Sequence, residues 1–79
     1  MPDYTIDTEK DARGSFCPGP LLELVRMVRE AQVGQVLAVI SADEGSKKDI
    51  PAWIAKAKHE FLGTEEVEGA TRFVCRKVR

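Results

Sequence analysis

The sequence predicts a two-layer α/β sandwich in which two helices cover one face of a four-stranded mixed sheet, in βαβαββ order. Three observations carry this. Two segments place apolar residues at helical spacing, and the segments between and after them read as strands. Both helices need an apolar surface to cover, and short crossovers lay consecutive strands parallel and right-handed. A chain of 79 residues has room for a single domain, 1–79, with a small core.

Taken in order, Tyr4 to Thr8 alternates, with Tyr4, Ile6 and Thr8 on one side and Thr5 and Asp7 on the other, as in a half-buried strand. Glu9 to Phe16 reads as a connecting loop, with Gly14 as its flexible point. From Pro18 to Gln32 the period becomes helical: Leu21, Leu24, Val25 and Val28 form a stripe opposite Glu23, Arg26, Arg29 and Glu30. Gly34 is the expected stop. Gln35 to Ser41 is apolar on both faces, which places it inside the sheet.

Ser46 and Asp49 have capping-box spacing, although Pro51 leaves Asp49 as the alternative start of the second helix. Its stripe is Ile50, Trp53, Ile54, Ala57 and Phe61, closed by Gly63. Thr64 to Glu68 and Thr71 to Val78 then form a hairpin turning at Gly69-Ala70. The polar positions Thr5, Asp7, Arg72 and Arg76 suit a second sheet face that meets water.

Composition narrows the function. Hydrophobic content of 43% and charged content of 32% suit an ordinary globular protein. Twelve basic against thirteen acidic residues give a net charge of −1, which provides no general field to attract nucleic acid or an anionic membrane. The longest apolar run, Val36 to Ile40, is too short to cross a bilayer. The N-terminus lacks an export signal, so a cytoplasmic location with two reduced cysteines is expected.

The chemistry centres on Cys17-Pro18-Gly19-Pro20, directly ahead of the first helical stripe. A cysteine at a helix N-terminus faces unpaired N–H groups and the positive end of the dipole, which favour the thiolate, the nucleophilic form. Proline is tolerated in the first helical turn, so Cys17 reads as the N-cap, Pro18 as the first helical residue and Pro20 as the third. Gly19 relaxes the position before Pro20, and its N–H is the donor best placed for the sulfur. The competing reading is a buried cysteine that happens to precede a helix.

Asp11-Ala12-Arg13-Gly14-Ser15-Phe16-Cys17-Pro18-Gly19-Pro20 resembles the Asp…Gly…Cys-Pro-x-Pro signature of the TusA/SirA family of small sulfur-carrier proteins. Asp43 to Pro51 is similar to the family's segment ahead of its second helix, and the resemblance covers nearly the whole chain. It implies a two-layer α/β sandwich. It also implies that Cys17 carries sulfane sulfur as a persulfide, as a relay and not a turnover enzyme.

The implied partners are a donor of cysteine-desulfurase or rhodanese-like type and an acceptor with a reactive cysteine, of DsrE-like or heterodisulfide-reductase-like type. They would serve tRNA thiolation or sulfur oxidation. No cofactor, metal, membrane or direct nucleic-acid contact is expected, and a monomer is.

Several residues admit two roles. Arg13 would add a positive charge near the thiol, or is a solvated loop side chain. Cys75 alternates with Phe73 and reads as core; the alternative is a resolving thiol for Cys17. His59 reads as a solvated residue on the second helix, and Trp53 as core. Lys47, Lys48, Lys56 and Lys58 read as a solvated basic face, or as a docking patch for acidic partners. The basic tail Arg72, Arg76, Lys77 and Arg79 motivates an RNA-binding alternative, and a redox-responsive adaptor is a third.

Overall fold

The computed structural model describes residues 4–14 and 19–79. Strand β1 (Thr8–Asp11) leads to helix α1 (Gly19–Glu30), strand β2 (Val36–Ser41), helix α2 (Ser46–Lys56) and the hairpin of β3 (Glu60–Val67) and β4 (Ala70–Arg76). The sheet order is β1-β2-β4-β3. β1 runs parallel to β2, while β4 is antiparallel to both β2 and β3. The expected α/β architecture and element order hold, and β2 is interior and buried at every position.

The helix-side core gathers Leu24 and Val28 of α1, Ile50 and Ile54 of α2, Leu37 and Val39 of β2, and Phe73 and Cys75 of β4. Successive strand residues point to opposite faces, so Val36, Ala38 and Val74 form a second cluster on the far side. Tyr4, Ile6 and Leu62 pack over that cluster, so part of the outer face is covered where water was expected. Salt bridges span the rest of this face: Arg72 reaches Glu9 at 2.6 Å and Glu65 at 3.4 Å, and Arg76 reaches Glu60 at 2.9 Å.

The first strand differs from the sequence expectation. The paired segment is Thr8–Asp11, with Asp11 opposite Ile40, so only Thr8 of the expected strand Tyr4 to Thr8 pairs, and Glu9 to Asp11, read as the start of a loop, are strand. Its four residues are all exposed, so no alternation marks them; backbone pairing at the sheet edge makes the strand. The alternation of Tyr4 and Ile6 marks residues that cover the outer face. Asp7 joins the two segments, donating its N–H to the Val36 carbonyl and accepting the Val36 N–H on its carboxylate, each at 2.8 Å.

Around α2 three expectations are corrected. The helix starts at Ser46 with Gly45 before it, and no side chain caps it. The buried Ser46 hydroxyl instead bonds Ser41 Oγ at 3.0 Å, so neither the capping box nor an Asp49 start is realised. Pro51 lies inside the helix. The helix ends at Lys56 because Lys58 takes a positive φ of 63°, which turns the chain into β3. Phe61 and Gly63 therefore belong to β3, at its irregularity, and His59 sits in the turn. The β3–β4 turn is Glu68-Gly69, one residue earlier than expected, between the paired Val67 and Ala70. Both turn residues have positive φ, 48° and 82°, which matches the twist of a two-residue hairpin.

Candidate functional site

Parallel pairing puts the C-terminal ends of β1 and β2 at one end of the sheet, with Asp11 beside Ile40. Both helices follow from that end: α1 opens at Gly19 and α2 at Ser46. The β3–β4 turn reaches the same end, since Ser41 pairs with Thr71. Residues 12–14 therefore leave β1 at the end of the sheet where both helices begin and where the hairpin tip lies. Cys17 and Pro18 themselves lie outside the described residues, as does the reading of Cys17 as N-cap.

Of the other candidate residues, Gly19 is the first residue of α1 and Pro20 is buried at its second position, where a missing N–H costs no helical bond. No acidic residue occupies the first turn of α1, so nothing there offsets the positive end of its dipole. Gly14 has φ +94° and open space where a side chain would begin. That backbone conformation favours glycine and turns the chain just past β1.

Arg13 is held in place. Its Nε and Nη2 donate to the two carboxylate oxygens of Asp11 at 3.0 and 2.6 Å, and its backbone N–H donates to Asp11 Oδ1 at 3.0 Å. A fourth contact runs from Nη1 to Glu68 Oε2 at 3.3 Å, joining the end of β1 to the hairpin tip. The forked guanidinium matches the carboxylate geometry, and these bonds push the Asp11 carboxyl down to about 2. Arg13, for its part, is held still more firmly in its charged form by Asp11 and Glu68. Glu68 escaped the sequence reading because 55 residues separate it from Arg13.

The structure places Cys75 far from solvent, with no exposed surface, across from Leu37 and Phe61 in the sheet. Burial pushes its thiol up to about 11. A thiol so buried and so seldom ionised is a poor nucleophile, whatever faces it. His59 is partly buried, its ring 6.0 Å from that of Trp53, and its Nδ1 accepts the Val78 N–H at 3.3 Å. Trp53 packs at the edge of the core.

The basic residues near the C-terminus are largely engaged. Arg72 and Arg76 pair with glutamates, and Lys77 Nζ donates to the carbonyl oxygens of Val28 and Ala31, both at 2.7 Å. They do not form the free cationic row that a phosphate backbone requires. Lys47 pairs with Glu44 at 3.2 Å, and Lys58 belongs to the turn after α2, so the basic face proposed for that helix is shorter than its sequence suggests. Among the described residues no group of His, Cys, Asp and Glu is placed to hold a metal ion, and no helix is long and apolar enough to cross a membrane.

Comparison with known proteins adds to this geometry. The profile of the family described as "Sulfurtransferase TusA" matches residues 8–77. A protein of Archaeoglobus fulgidus, provisionally named a sulfur carrier protein, is 46% identical over 69 residues, covering 87% of this chain and 94% of the relative. Sulfur carrier protein TusA of Pseudomonas entomophila is 39% identical over 77 residues, covering 98% and 96%. The protein of that name in Pseudomonas syringae is 37% identical over 75 residues, covering 95% and 89%.

Proposed function

The chain belongs to the TusA sulfurtransferase family, and from that premise we propose that it carries sulfane sulfur as a persulfide on Cys17. One observation carries the reading: α1 opens two residues after this cysteine with no acid in its first turn, within a segment the family profile matches. A helix N-terminus favours an anion without enclosing it, by about 0.3–1 kcal/mol at an exposed site. That amount fits a sulfur that must be both held and released.

The relay consists of two exchanges. In loading, the Cys17 thiolate attacks the terminal sulfur of a donor protein's persulfide. A new S–S bond forms on Cys17, the donor's S–S bond breaks, and the donor leaves as a thiolate. In delivery, an acceptor thiolate attacks the terminal sulfur on Cys17, the Cys17 S–S bond breaks, and Cys17 returns to its thiolate. Neither step has net oxidation or reduction, so the relay needs no cofactor. Arg13, Gly14, Pro18, Gly19 and Pro20 support it by shaping the segment that bears the thiol.

The partners that fit this chemistry are a desulfurase or rhodanese-like donor and an acceptor with a reactive cysteine, in tRNA thiolation or sulfur oxidation. Intact mass spectrometry after incubation with a sulfane-sulfur donor tests the reading. One added sulfur atom is expected on the wild type and none on Cys17→Ser.

A further inference from the structure

Helix α2 ends in a two-bond closure. The Lys58 N–H donates to the Ala55 carbonyl at 3.1 Å and the His59 N–H to the Ile54 carbonyl at 3.0 Å, with Lys58 at positive φ. This closure brings the His59 ring to Trp53, 6.0 Å between centroids, the apolar contact that accompanies such helix ends. On its other side the ring meets the segment after β4, where Nδ1 accepts the Val78 N–H at 3.3 Å. An imidazole nitrogen accepts only when it carries no proton, so this bond requires the neutral ring with its proton on Nε2. The residue before Val78 is anchored by other means. Lys77 donates its N–H to the Gln35 carbonyl at 2.9 Å and accepts the Gly34 N–H at 2.6 Å, and its ammonium takes the carbonyls of Val28 and Ala31. Val78, itself exposed, is tied down by His59.

We propose that His59 is an acid-sensitive clasp for the C-terminal segment: the neutral ring holds the Val78 N–H, and a proton taken from solvent at Nδ1 turns the acceptor into a donor and releases Val78 and Arg79. The surroundings set the direction of the switch. Burial, then the positive charges of Lys77 and Arg79, lower the ring's pKa from the ordinary 6.5. The chain neighbours are Lys58 and Glu60, and Glu60 is engaged by Arg76 at 2.9 Å. From α2 comes Trp53, which is uncharged, and the closing N–H groups already occupy carbonyls of that helix that would favour an imidazolium. The folded protein therefore gives up this proton sooner than the unfolded chain. The clasp is closed at neutral pH, and its stabilisation is lost as pH falls from 6.5 through the lower folded value. The clasp does not depend on the sulfur chemistry.

The test is nitrogen-15 NMR of the full chain from about pH 8 to about pH 4, across the histidine range, following the His59 ring nitrogens and the Val78 amide. At the upper end the ring is expected with Nδ1 bare and Nε2 protonated. On acidification the ring should titrate below 6.5, and the Val78 amide should shift with the same midpoint. The protection of that amide against hydrogen exchange, corrected for the intrinsic pH dependence, should fall by about two- to tenfold, the scale of one hydrogen bond. The Gly34 and Lys77 amides, bonded on the other side of the release point, should keep theirs. His59→Phe keeps a ring beside Trp53 without an acceptor, so its Val78 amide should resemble the acid form at every pH. Arg79→Gln removes a facing cation and leaves the clasp in place, so it should raise the ring and Val78 midpoints together. A neutral ring protonated on Nδ1, a Val78 amide unmoved while the ring titrates, an unchanged Val78 titration in His59→Phe, or a ring midpoint that rises alone in Arg79→Gln would overturn the proposal.

Discussion

Lys77 Nζ lies 2.7 Å from the carbonyl oxygen of Val28, reaching from just past β4 to the last turn of α1. The same ammonium takes the Ala31 carbonyl at 2.7 Å, and the Lys77 carbonyl accepts the Gly34 N–H at 2.6 Å. The C-terminal end of α1 is thus closed by a cation from another element, where the dipole is negative and carbonyls lack partners. The helix whose opposite end follows Cys17 is fixed to the sheet at the far end.

Lys77→Met keeps the aliphatic stem and removes the charge and both hydrogen bonds. A loss of about 1–2 kcal/mol is expected, from hydrogen bonds to a charged group and the dipole interaction. Urea unfolding of the variant should show a lower midpoint with an unchanged slope. A midpoint equal to the wild type would mean that the ammonium contributes nothing.

Cys75 gives a pH prediction whose sign follows from burial. Its thiol is pushed from 9.0 to about 11 in the folded protein, so between those values the unfolded chain gives up its proton first. The folded state then binds more protons, and stability falls as pH rises through this window, by at most about 2–3 kcal/mol. Cys75→Ala should flatten that part of the stability profile. In the native wild type below pH 9, Cys75 should alkylate only as fast as the protein opens.

Asp11 supplies the opposite sign. Arg13 holds its carboxyl at about 2, below the ordinary 3.8, so the stabilising pairing is complete above 3.8 and is lost as pH falls through 2. Carbon-detected NMR should find that titration near 2 in the wild type. Arg13→Gln should return it toward the ordinary range.

Gly14→Ala places a side chain at φ +94°, in open space but in a backbone region that L residues avoid. The expected cost is about 1–2 kcal/mol, read as a lower thermal midpoint. A larger change in Cys17 alkylation than in stability would show that the turn orients the segment that bears the thiol.

How much of this could be read from the chain depended on whether burial leaves a pattern. β2 and the stripe of α1 were legible because Val36 to Ile40, Leu24 and Val28 are buried through side chains. β1 was not, since Thr8–Asp11 is an exposed edge held by backbone pairing. Phe61 continues the period of α2 in sequence, but the positive φ at Lys58 ends the helix first. At the site, the start of α1 near Gly19 and Pro20 was visible from proline placement. The Arg13–Glu68 contact joins residues brought together only by hairpin and sheet registry, so no local spacing announces it.

The most direct measurement of the central claim is the intact mass of the protein after exposure to a sulfane-sulfur donor, followed by addition of an acceptor thiol. The relay predicts one sulfur atom gained on wild type and then lost to the acceptor, with no gain on Cys17→Ser and a full gain on Cys75→Ala. Equal gain on Cys17→Ser, or none on the wild type, would contradict it.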